Sequence, residues 1–264
     1  MVYDLASILT LSDNAFIVGG QALNLWAERY SHVAQLADYG PYTSKDLDYF
    51  GHREAAQKLA DALGGTVSIP KTDDHTPQTA IVTATIHGET VEIDFLYHVK
   101  GVNPQSLQKQ AVQLVLSVRV GEGTGTLYVP IMHPLHCMQS RLANVVDLGR
   151  RTDLAKRQLE ASSVVLAEYL SERLRDGSVK HVMGVLQALH QYLLTDPTGK
   201  KAHHHMSNDP AAILDRFMDD ERLDERWRQL TLKGMRTRVH ERRTAWGAMK
   251  ARAKGVVSAM VGKA

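Results

Sequence analysis

The apolar pattern of this chain changes once, near residue 133, and that change limits the fold more than any other feature. Before it, short runs rich in β-branched residues alternate with helical stretches. "AFIV", "TAIVTATI", "TVEIDFLYHV", "LVLSVRV" and "TLYVPIM" read as strands, and "GGQALNLWAERY" and "HREAAQKLADALGG" as helices. His87-Gly88-Glu89 marks a hairpin-like break, and "GEGTG" separates the last strand pair. From Pro134 onward the apolar spacing is helical. "PLHCMQSRLANVVDLG", "TDLAKRQLEASSVVLAEYLSERLRDG" and "SVKHVMGVLQALHQYLL" predict three helices, with Thr152 as an N-cap and Gly177 as a stop. Two more are expected over 210–218 and 222–252, after a polar break at "TDPTGKKAHHHMSNDP". The order predicts an α+β protein: a mixed sheet with flanking helices over 1–133, then a helical domain over 134–264.

Composition narrows the setting. A single cysteine, Cys137, excludes an intrachain disulfide framework. "MVYDLASILTLSDN" lacks the basic start of a signal peptide, and no run approaches the roughly 18 apolar residues of a membrane helix. The expectation is a cytoplasmic protein that does not span a membrane. The net charge of +2 conceals an asymmetry: residues 1–100 carry 6 Lys+Arg against 13 Asp+Glu, whereas residues 221–264 carry 12 against 4. Acidic clusters attract metal ions and basic ones attract phosphates.

The chemistry-bearing residues start at "FIVGGQALNLW". A strand, a tight glycine turn and a helix can cradle a phosphate, because free helix N–H groups converge there. A dinucleotide fingerprint needs G-x-G-x-x-G, and Gln21 stands where its second glycine would fall. Downstream, "SKDLDYF" places Asp46 and Asp48 at i and i+2, on one face of a strand. "VEIDFLYHV" adds Asp94 inside an apolar strand, with Glu92 on the same face as a helper. Carboxylates so placed are costly unless a cation lies between them. Mg²⁺ binds through one or two carboxylates plus substrate phosphates. The bland alternative is a solvated loop for the Asp46/Asp48 pair and an ordinary turn for Gly19-Gly20.

Taken together, these segments resemble the DNA polymerase β-type nucleotidyltransferase superfamily over about residues 14–97. Within it, "GG-x-A-L…S-x-D-[LI]-D" most resembles the AbiEii-type toxins of toxin–antitoxin systems, which join a nucleotidyltransferase domain to a helical one. Two further motifs of that family lie where "HPLHCMQSRLANVVDL" and "RRTDLAKRQL" stand here. They carry Arg141 and Asn144 on one helix face, then Asp153 and Lys156 on the next. The family's usual hydroxyl residue after the glycine pair is Gln21 here, and its usual helical Lys is represented by Arg141.

The resemblance implies a magnesium- or manganese-dependent transferase that moves NMP from an NTP to an acceptor and releases pyrophosphate. Asp46, Asp48 and Asp94 would be catalytic and would bind the metal. Gly19, Gly20, Ser44, Lys45, Arg141, Asn144, Asp153 and Lys156 would bind nucleotide. RNA, such as a tRNA 3′ end, is the implied acceptor, and a cognate antitoxin protein an implied partner. Transfer to protein or to an aminoglycoside, and a non-catalytic nucleotide- or RNA-binding regulator, are the alternatives. Helix-dipole acid explains Asp153 equally well, and surface charge explains Arg141 and Lys156. "HHH" at 203–205 lacks zinc-like spacing and reads as a flexible polar loop. Cys137 reads as a small core residue. The tail "KGMRTRVHERRTAWGAMKARAK", with Trp246 interleaved, reads as a solvated helix face or an RNA-binding one.

Overall fold

The computed structural model describes residue 5 and residues 8–40, 46–71, 76–120 and 123–245. Ser44, Lys45, Trp246 and the rest of the basic tail lie outside the described residues. Contacts divide the chain into Met1–Tyr169 and Leu170–Ala264.

In the first unit, strands β1 (Phe16–Val18), β2 (Leu47–Phe50), β3 (Thr66–Ser68), β4 (Gln78–Ile86), β5 (Glu89–Leu96), β6 (Val112–Val120) and β7 (Gly123–Ile131) make one mixed sheet. Its order is β3-β4-β5-β2-β1-β7-β6. β2 runs antiparallel to β1 and parallel to β5, and β1 runs parallel to β7. The expected hairpins form. β4 and β5 pair through a two-residue turn in which His87 and Gly88 both have positive φ, 54° and 84°, the twist that suits a tight hairpin. β6 pairs with β7 along its whole length.

The sheet is held by alternation. Ala80, Val82, Ala84 and Ile86 of β4 are buried, and Ala80 and Val82 stand opposite the buried Phe95 and Ile93 of β5. Tyr49 stacks on Phe95 at 5.4 Å, and Phe16 on Phe50 at 4.9 Å; such pairs add roughly 0.5–1.5 kcal/mol each beyond area burial. Helix α1 (Gly19–Arg29) packs on β2, α2 (Ala34–Tyr39) follows it, and α3 (Arg53–Leu63) packs on β4. α3 buries Ala55, Ala56, Leu59 and Ala60, the stripe its sequence predicts. α4 (Pro104–Lys109), a short helix with Asn103 as its cap, has no counterpart in the sequence reading.

Helix α5 (Pro134–Val146) starts where the strands stop, with His133 accepting a hydrogen bond from the Leu135 N–H as its cap. α5 packs against α1, and Trp26 of α1 donates from Nε1 to the Met132 carbonyl at 2.9 Å. α6 (Asp153–Arg175) is capped by Thr152, whose Oγ1 accepts from the Ala155 N–H. The apolar pattern thus changes at 133, but the division in packing falls inside α6. Buried Cys137, its thiol pushed up to about 12 by burial, is a core residue.

The second unit is helical: the end of α6, α7 (Val179–Thr195), α8 (Ala202–His205), α9 (Ala211–Arg216) and α10 over 225–245. Within α10, Trp227–Leu232 is π-helical, which the uninterrupted helix expected over 222–252 does not anticipate. Leu186, Leu189, Leu214, Phe217, Leu232 and Val239 supply its core. The expected flexible loop at "HHH" is a correction: 199–205 form a 3₁₀ turn and then α8. Asp196 makes that turn, its Oδ1 accepting from the Thr198 and Gly199 N–H groups at 2.8 and 2.9 Å. Among the described residues no helix is long and apolar enough to cross a membrane.

Candidate active site

Two neighbouring strands, β2 and β5, bring Asp48 and Asp94 together, with β1 on the other side of β2. In the antiparallel ladder Val18 stands opposite Asp48, and in the parallel ladder Asp48 stands opposite Asp94. Side chains paired this way share one face of the sheet. The intervening Leu47, Tyr49, Ile93 and Phe95 are buried on the other face. Asp48 and Asp94 are half-buried, so each strand turns one acid out of an apolar layer. Asp46 precedes β2 and is exposed, and Glu92 is exposed on the same strand as Asp94.

The glycine turn closes on this pair. Gly19 has φ +69°, and a Cβ there would overlap Asp48 Oδ2. Both the backbone conformation and the space require glycine. The chain passes from β1 directly into α1 at this point, so the helix N-terminus, whose first N–H groups have no partner within the helix itself, begins beside Asp48. Gln21, two residues beyond Gly19, accepts from Asn24 Nδ2 at 3.0 Å through its Oε1.

Electrostatics bind a further helix to the site. Burial, then the like charges of Asp94 and Asp46, push the Asp48 carboxyl up to about 6, and Arg141 and Arg150 act against them. Burial lowers the Arg141 guanidinium from its ordinary value, and the Asp48 charge offsets part of this. Arg141 donates from Nη1 to Gln158 Oε1 at 3.1 Å, while its buried Nε has no hydrogen-bond partner among the described residues. Arg150 and Gln158 were not singled out by the sequence. The doublet "RRTD" between two helices was the signal for the first; a buried glutamine one turn into α6 carries no signal without its partner.

Other expected residues stand differently. Asn144 is buried on α5, and its carbonyl accepts from the Arg150 N–H at 2.9 Å. Asp153 and Lys156 pair with each other at 3.8 Å on the surface of α6 and are not among the charges that set Asp48. Ser44 and Lys45 lie outside the described residues.

No family model, no curated protein and no solved structure matches this chain.

The chemistry of the site must therefore be read from its atoms. Among the described residues no three His, Cys, Asp or Glu are grouped so as to hold a metal ion. The acids are thus no ready-made cage. They do suit a hard cation that keeps part of its shell for a substrate, since Mg²⁺ binds through one or two carboxylates and completes its octahedron with phosphate and water oxygens. The raised Asp48 carboxyl is the relevant observation, because the repulsion behind it is what a cation would relieve. Arg141 Nε is a buried donor without a hydrogen-bond partner among the described residues, which a phosphate oxygen would satisfy.

Proposed function

We propose that the first unit is a metal-dependent nucleotidyltransferase of the DNA polymerase β type, transferring NMP from an NTP to an RNA acceptor. The observation that carries this reading is the close approach of the Gly19 turn to Asp48, with Asp94 in register on the next strand. An anion cradle and a paired-carboxylate face then meet at one point. Asp46, Asp48 and Asp94 would hold the divalent ion, which when bound neutralises triphosphate charge and polarises the phosphorus under attack. The Gly19-Gly20 turn offers N–H groups to the phosphates, and Arg141 offers its unpartnered Nε to a phosphate oxygen. Asp94 accepts the acceptor hydroxyl's proton as the new bond forms and pyrophosphate leaves. Positioning supplies most of the acceleration.

The excess of base over acid at 221–264 favours a polyanionic acceptor over a cationic drug. A toxin role with a neutralising partner protein belongs to the same proposal and rests on the resemblance alone. The test is incubation with each α-labelled NTP, Mg²⁺ or Mn²⁺ and total RNA, beside the Asp46→Ala/Asp48→Ala variant. Label on RNA that the variant fails to add is the expected result. Label on protein instead moves the acceptor; no label on RNA, protein or aminoglycoside in any condition overturns the enzyme reading.

A further inference from the structure

The second unit contains a cavity of about 370 Å³ that the proposed transferase reaction does not use. Its described lining comes from the end of α7, the turn and α8 that follow it, and the later part of α10. Of the nine described residues that line it, six are Lys, Arg or His and none is acidic. Arg243 is already neutralised: both its terminal nitrogens donate to the Asp209 carboxylate. Lys200, Lys201 and Arg242 are not; among the described residues no carboxylate pairs with them. Among the described residues the Arg242 guanidinium donates one long hydrogen bond, 3.5 Å, to the Leu193 carbonyl.

The backbone that carries the two lysines is held in place. Asp196 caps the turn that projects Lys200 and Lys201, and the Lys200 N–H donates back to the Asp196 carbonyl. Gly199 sits so close to the Tyr192 carbonyl that a Cβ would overlap it, which pins the turn to the end of α7. The rest of the wall is apolar or flat. Leu193 and Val239 are buried beneath the basic groups, and the rings of His203 and His204 lie 3.8 Å apart.

Three unneutralised cations beside an apolar floor exclude a metal ion and suit a multiply charged anion with an apolar body. The volume is at the lower end of small-molecule pockets and exceeds what a bare phosphate fills. We propose that this cavity binds a mononucleotide-sized organic phosphate, its phosphate held by Lys200, Lys201 and Arg242 and its flat body laid on Leu193 and Val239 beside the two histidine rings. The ligand is a free nucleotide or the 5′-phosphorylated end of an RNA strand. The site is independent of Asp48 and does not rest on the transferase reading.

The test is calorimetry on the full chain in EDTA, which removes the divalent ion the other site would require. The probes are the four 5′-mononucleotides, their nucleosides, inorganic phosphate, and a short RNA with a 5′-phosphate or a 5′-hydroxyl. At least one 5′-mononucleotide should bind tenfold or more tightly than both its nucleoside and inorganic phosphate. Lys200→Ala/Arg242→Ala should weaken that binding at least tenfold, as should Lys201→Glu on its exposed side chain, while Asp48→Asn leaves it unchanged. A 5′-phosphate RNA that outbinds the mononucleotide assigns the strand end; the reverse assigns the free nucleotide. Binding weaker than about 1 mM for every probe, or binding lost in Asp48→Asn but kept in folded Lys200→Ala/Arg242→Ala, overturns the proposal.

Discussion

Two carboxylates, one in each unit, experience burial in opposite ways. Asp48 in the first unit is buried beside other acids and is pushed up to about 6. Burial also pushes the Asp209 carboxyl of the second unit up, but the Arg243 hydrogen bonds outweigh it and leave Asp209 below its ordinary range. Asp209 is a completed interaction and Asp48 an uncompleted one. Folded proteins pair their buried charges, so a group left against its own sign marks where something else is expected. Lys200, Lys201 and Arg242 are a weaker case of the opposite sign, since Lys201 is exposed and the other two are only part-buried.

The sharpest way to break the contrast is Gly19→Ala. The new Cβ must take φ near +69° and overlap Asp48 Oδ2. Label transfer is expected to fall at least a hundredfold and stability by about 1–3 kcal/mol, read by urea denaturation. Normal transfer by the variant would detach the glycine turn from the acid pair.

Asp48→Asn removes the like-charge strain. Because the folded pKa lies above the unfolded one, this group favours the fold below about pH 4 and that contribution is lost as pH rises through about 6. The metal-free variant should therefore be more stable than the parent at pH 7, by about 1–3 kcal/mol at most, with the difference vanishing at pH 4. A variant less stable at pH 7 would show that Asp48 is already compensated.

Asp209→Asn is the opposite case. Its lowered pKa gives stability that is present above the unfolded value near pH 4 and lost as pH falls through the folded one. The substitution should cost about 1–2 kcal/mol at pH 7 and progressively less in acid, measured by thermal melting. Arg141→Met removes a proposed phosphate donor and should slow label transfer at least tenfold. Removing a cation that holds Asp48 down should move the alkaline rise of label transfer to higher pH. An unchanged profile would place Arg141 outside the site's electrostatics.

Much of this was legible in the chain. "FIVGG" declares a strand running into a glycine turn, and Asp94 declares an acid inside an apolar strand. The strand face expected to carry both Asp46 and Asp48 is a correction, because β2 begins only at Leu47 and leaves Asp46 exposed before it. Hairpins and helix caps at His87-Gly88 and Thr152 follow from local preferences. What escaped depends on residues far apart. Gln158 matters only because Arg141 reaches it across two helices, and the histidine run gained a structure only because Asp196 caps a turn against α7. Polar "TDPTGKKAHHH" looks solvated when read alone.

By itself, then, the sequence determined the two kinds of secondary structure, the place where one gives way to the other, and the residue types available for chemistry. These follow from periodicity, turn residues and charge, which act over a few positions. The tertiary structure alone decided that Asp48 stands between the Gly19 turn and Asp94, and that cations from 200–201 and 242 border one cavity. Strand register and helix packing set such distances between residues remote in the chain, and no local preference encodes them.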